Sequence, residues 1–194
     1  MVSIPFQNDS SNASNNFKRN NSNETAGLVP PQNIQAEESV LGGILLDPDA
    51  IGRIADLLKP EAFYINAHRE IYKTAITLHT QGKPTDLTSM SAWLADNGSL
   101  DLIGGNNKLV ELVENVSSTA SIEQVAGLIS DKFLRRQLIR SGNEVIRLGF
   151  DQSQATDEIL DKAEQKIFEI SQEKPSKGLT QAAEILTSTF NEIE

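Results

Sequence analysis

Residues 121–150 read SIEQVAGLISDKFLRRQLIRSGNEVIRLGF, and this stretch decides the fold. Ser121 followed three residues later by Gln124 is a capping box, which satisfies free backbone amides where a helix begins. Behind it Ile122, Val125, Ala126, Ile129, Phe133, Leu134, Leu138, Val145 and Leu148 recur mainly at three- and four-residue steps. The spacing predicts one helix running to about Gly149, roughly 40 Å long at ~1.5 Å per residue. After a short connection near 151–155, Ile159, Leu160, Ala163, Ile167 and Ile170 form the stripe of a partner helix. A connection that short makes the two helices antiparallel neighbours, a hairpin expected over 118–174. Ile122, Val125, Ile129, Phe133, Leu138, Ile159, Leu160 and Ile167 are the residues expected to carry hairpin packing or self-association.

Upstream, helical spacing persists and strand alternation is absent. Asn33 caps a first helix through Val40, Leu41, Ile44 and Leu45, with Glu37 and Glu38 in a solvated first turn. Asp47-Pro48 reads as a new cap with proline in the first helical position, ahead of Ile51, Ile54, Ala55 and Leu58. Asn66 is expected to cap a third helix that stops at Gly82, and Thr85 or Asp86 a fourth that closes at Asn97-Gly98. A short fifth carries Leu109, Leu112 and Val113. The expected fold is all-α: a globular multi-helix head over 33–117, then the antiparallel hairpin, then a separate linker helix.

The two ends differ from this middle. Between Asn8 and Asn23, eleven of sixteen residues are Asn or Ser, too polar to offset an ordering entropy of ~1–2 kcal/mol per residue, so 1–32 is expected to be a disordered tail. Lys174-Pro175-Ser176-Lys177-Gly178 breaks the helical pattern, and Leu186, Phe190 and Ile193 begin one more stripe within 175–194. That stripe has no stop signal, so its burial partner is expected to lie outside the chain.

Composition removes most chemistry. The chain has no Cys, which excludes disulfides, thiolate nucleophiles and Cys-based metal sites. His68 and His79 are eleven residues apart on one helix, about 16 Å, too far to share a metal. Gly104-Gly105-Asn106-Asn107-Lys108 lacks the second glycine and the hydroxyl residue of a phosphate loop and reads as a helix-start turn. Gly42-Gly43 inside the first helix points to close helix–helix approach. No paired carboxylates are placed for acid–base work. No catalytic residue, cofactor or metal site is expected, nor any membrane span or secretory leader; the expected location is the cytoplasm.

The net charge is −10, all of it in residues 33–194, because Lys18 and Arg19 balance Asp9 and Glu24. Against that background Lys132, Arg136 and Arg140 stand four apart on the long helix, with Arg135 beside them and Arg147 beyond. They make either a basic face for DNA or an acidic partner, or one half of ion pairs, across the hairpin to Asp157, Asp161, Glu164, Glu169 and Glu173 and along the helix face. The overall acidity favours ion pairing, with each exposed pair contributing ~0.2–1 kcal/mol.

The run from Glu37 to Leu46, EESVLGGILL, closely resembles the opening helix of the bacterial DnaB-type replicative DNA helicases. The likeness continues through Phe63-Tyr64, His68-Arg69-Glu70-Ile71-Tyr72, Gly82-Lys83-Pro84-Thr85-Asp86-Leu87 and Leu100-Asp101-Leu102-Ile103-Gly104-Gly105. It reaches Leu134-Arg135-Arg136-Gln137-Leu138-Ile139 and Ile159-Leu160-Asp161-Lys162-Ala163-Glu164, in the family's order, over about 30–194. Lys108 and Val125 depart from it, standing where the family usually has tyrosine. The resemblance implies the N-terminal collar domain: self-assembly into a dimer or hexamer, docking of primase on the hairpin, and a helicase loader as a further partner. It also implies that 179–194 starts the linker helix docking onto a neighbouring motor domain, with DNA met only through the assembled parent. ATP and magnesium would belong to that motor, not to these residues. The rival expectations are a free-standing helical adaptor of the replication machinery and a direct nucleic-acid-binding module.

Overall fold

The computed structural model describes residues 28–116 and 121–172, and all its regular structure there is helical. Asn33 caps α1, Ile34–Leu46, by accepting the Ala36 amide at 3.1 Å. Then follow α2 (Ala50–Ile54), α3 (Asn66–Thr80), α4 (Leu87–Asp96), α5 (Asn106–Glu114), the long α6 (Ile122–Phe150) and α7 (Thr156–Gln172). Short 3₁₀ turns at Pro60–Ala62 and Asp101–Ile103 link α2 to α3 and α4 to α5.

The caps follow the side-chain chemistry of the sequence. Asp86 starts α4 by accepting the Ser89 amide at 3.0 Å, and Ser121 starts α6 by accepting that of Gln124 at 3.4 Å. Gly82 and Gly98, both at positive φ, end α3 and α4. Two starts differ from expectation. Asp47 turns the chain by accepting the Asp49 amide, so α2 begins only at Ala50 and is a bare turn and a half. Asn66 is the first residue of α3 rather than its cap, which falls to Ile65.

The head is built around α1, which packs against α6, α5, α3 and α2 and buries residues on nearly every side. Gly42 is why α5 comes so close: a Cβ there would sit 2.2 Å from the Leu112 carbonyl oxygen and 2.4 Å from Val116 Cγ2. Tyr72, Phe63, Leu41, Ile51, Ile71, Met90, Leu94 and Leu109 fill the core. The first half of α6 belongs to this core, through Val125, Ala126, Ile129 and Phe133, with Ile122 packed against it. The head therefore runs past the boundary expected at residue 117, and only the second half of α6, paired with α7, forms a free arm. The expected tail up to residue 27, the linker segment 175–194 and its candidates Leu186, Phe190 and Ile193 lie outside the described residues.

Candidate interaction surfaces

The arm leaves the head at a buried polar node. Glu37, 1% exposed, does not sit in a solvated turn as expected. Its carboxylate accepts the Tyr64 amide at 2.6 Å and the Ile65 amide at 3.4 Å, and takes a bond from His68 Nδ1 at 2.9 Å. Those amides precede α3, where the partial positive charge of a helix start favours an anion. Glu37 thus ties α1 to the segment leading into α3. The neighbouring Glu38 pairs instead with Lys108 of α5 at 3.2 Å. Burial pulls the Lys108 ammonium down, but its bonds to Glu38 and Glu111 outweigh that and hold it above its ordinary value.

Arg136 belongs to the same node. Its spacing makes it part of a basic face or of a surface ion pair, and instead it is buried, 8% exposed. Its guanidinium donates to the carbonyl oxygens of Pro31 at 2.7 Å and Ala62 at 2.5 Å, and lies 5.7 Å from the Tyr64 ring and 5.8 Å from that of Phe133. Burial lowers its pKa, opposed by the charge of Glu37. The fork geometry of arginine lets one side chain bind two carbonyls from separate segments. No spacing in the sequence announces those partners.

The remaining basic candidates stay outside. Lys132 and Arg135 both approach Asp131, at 3.8 and 2.9 Å. Among the described residues Arg140 donates to Gln137 Oε1 at 3.5 Å. The expected ion pairing is made, among the described residues, along the helix face, by Lys132 and Arg135 with Asp131, and one pair crosses the hairpin, Lys166 with Glu144 at 3.1 Å.

The hairpin candidates divide in the same way. Ile122, Val125, Ile129 and Phe133 serve the head, because the first turns of α6 lie against α1 and α2. Ile159 is half-buried against α6, while Leu138, Leu160 and Ile167 remain about half exposed. No residue of α7 is buried. On one side of the arm a groove of about 1080 Å³ is lined by Gly142, Val145, Ile146, Ala163, Ile167 and Phe168. Ile146 and Phe168, at 56% and 63% exposure, were not among the expected residues; they continue the same stripes.

His68 is consumed by Glu37, His79 is exposed at the end of α3, and among the described residues no cluster of His, Asp or Glu is arranged to hold a metal. Gly104 and Gly105 form the turn that starts α5. Among the described residues no helix is long and apolar enough to cross a membrane.

The described residues thus form a head wrapped around one buried helix, with a long helix leading out into a two-helix arm. Residues 29–131 match the family described as the DnaB-like helicase N terminal domain, and the chain belongs to that family. The replicative DNA helicase DnaB of Nostoc sp. is 54% identical over 166 residues, which cover 86% of this chain and 19% of that protein. The Geobacillus stearothermophilus DnaB helicase is 37% identical over 166 residues, 86% of this chain and 37% of that one. The chain thus spans about a fifth of the first relative and just over a third of the second. The crystal structure of the N-terminal domain of DnaB helicase from Mycobacterium tuberculosis superposes with a TM-score of 0.68 at 35% identity, covering 73% of this chain and 99% of that one. A structure described as a DnaB-like replicative helicase and its interactions with primase gives 0.60 at 29% identity, covering 80% of this chain and 35% of that one. What the chain shares with these helicases is their N-terminal domain.

Proposed function

We propose that this chain is the assembly and docking module of a replicative DNA helicase. Copies pair through their heads and hairpins into a collar around the DNA channel, and the polar surface of the hairpin recruits primase, coupling unwinding to primer synthesis in the cytoplasm. The observation that carries this reading is the uncovered apolar groove of the arm. Contiguous exposed apolar surface marks an interaction site, and a second hairpin laid against Ile146, Ile167 and Phe168 supplies the cover that α6 and α7 do not give each other. The likeness to a helicase described with its primase interactions supports the choice of partner. In this reading the module needs no cofactor of its own; ATP and magnesium serve the motor part of the helicase, and DNA is met only through the assembled ring.

The test is the light-scattering mass of the purified chain, alone and with the helicase-binding region of the cognate primase. The expected result is a dimer or larger ring that gains mass with primase. A monomer that leaves primase unbound would overturn the reading and favour a free-standing adaptor.

A further inference from the structure

One face of the arm is left open, and one stripe of the sequence is left without a partner. The open face is the apolar groove between α6 and α7. It continues past Ile146 to Phe150 and past Ile167 to Leu160, both exposed, one and two turns further along the same helix faces. From Leu160 to Ser171, which lines the groove near the end of α7, the face runs eleven residues, about 17 Å.

The stripe lies outside the described residues. Leu179, Ala182, Ala183, Leu186, Phe190 and Ile193 recur at helical steps, and Ala182 to Ile193 is again eleven residues, about 17 Å. A helix as short as 179–194 is marginal by itself in water and gains its stability by burying such a face. Six residues, Glu173 to Gly178, join the end of α7 at Gln172 to Leu179. Extended, they reach ~20 Å, twice the ~8–10 Å between the axes of packed helices, and Pro175 and Gly178 suit a reversal of the chain.

We infer that in the unpaired chain residues 179–194 dock as a helix into the apolar groove of their own arm, antiparallel to α7. That direction sets the small Ala182 and Ala183 against the bulky Phe168 and carries Phe190 to the Leu160 end. Glu184 and Glu192 fall on the side opposite the stripe, clear of Asp161 and Glu164 along the groove. The inference rests on the pairing role proposed above and adds its regulation, because the segment and a second hairpin claim the same surface. A short tether gives the segment an effective concentration of about a millimolar, so it holds the groove while the protein is dilute. A second copy displaces it as copies gather, and pairing is weakened in proportion to the chains already closed.

The experiment uses the full chain and takes two readings. Sedimentation equilibrium gives the pairing Kd of wild type and of Leu186→Asp/Phe190→Asp, after circular dichroism and thermal melting have shown the head and arm intact. The chain has no cysteine, so Ile146→Cys/Leu186→Cys with a short thiol crosslinker reports the contact directly, at a concentration where wild type is monomeric. The expected result is a variant that pairs about tenfold or more tightly than wild type, and a cysteine pair joined within one chain, at the monomer mass. A Kd unchanged or weakened in the variant would overturn the inference and leave the pairing standing. So would a cysteine pair that stays unjoined or is joined only between chains. If neither wild type nor variant pairs at any concentration, the pairing role and its regulation both fall, and only a crosslink within one chain keeps the docked segment.

Discussion

The guanidinium of Arg136 donates to the carbonyl oxygen of Ala62, 74 residues earlier in the chain, at the point where the long helix stops being part of the head. On the N-terminal side of that bond α6 fills the core through Val125, Ile129 and Phe133; on the C-terminal side its apolar residues lie mostly half-buried or exposed. Arg136 therefore fastens the long helix to the head at the base of the arm.

Replacing Arg136 with Met keeps much of the side-chain volume and strands the Pro31 and Ala62 carbonyls. Stranded buried acceptors cost about 1–3 kcal/mol each, so the unfolding free energy in urea is expected to fall by roughly 2–4 kcal/mol. Arg136→Lys retains the charge without the fork and should recover only part of that loss. A variant as stable as wild type would show that the buried guanidinium is dispensable.

Two helix glycines should respond in opposite directions. Gly42→Ala gains helix propensity, about 1 kcal/mol, but drives a methyl into the Leu112 carbonyl, where even modest overpacking costs about 1–3 kcal/mol. Its expected effect is a lower melting temperature. A Cβ at Gly142 meets nothing within 4 Å, so Gly142→Ala is expected to leave the fold intact or stabilise it. Calorimetry on the pair checks both signs, and equal shifts would remove the close-approach argument for Gly42.

The cap of α4 gives a pH signature. The backbone amide of Ser89 first, then its hydroxyl, holds the Asp86 carboxyl below its usual range. A carboxyl depressed by folding adds stability above its unfolded value, near pH 4, and that stability is lost as pH falls through the lower folded value. Asp86→Ala should cost about 1 kcal/mol at neutral pH, and the gap should narrow in acid. Urea midpoints from pH 7 to pH 2 test it; a gap that widens in acid would contradict the assignment.

What the sequence discloses is decided by how local the physics is. Asn33, Asp86 and Ser121 act on amides three residues away, so their helices can be located from the sequence alone. The doubled glycine announces a close approach, and Gly42 makes it. Glu37 and Arg136 have partners 27 to 105 residues distant and look, by spacing, like ordinary solvated charges. The stripe from Ile122 to Leu138 is continuous in sequence, yet it changes partners midway, from the head to the arm. Periodicity gives the buried side of a helix and not what buries it.

The most direct test of self-assembly through the arm is the solution mass of the full chain and of its Ile146→Asp/Ile167→Asp variant over a range of concentrations. Both residues line the apolar groove and neither is in the core of the head, so the variant should keep its helicity. The expected result is a wild-type mass at least twice the monomer's 21.2 kDa, with the variant at the monomer value. A wild type that stays monomeric throughout, or a variant that assembles as wild type does, would contradict the account.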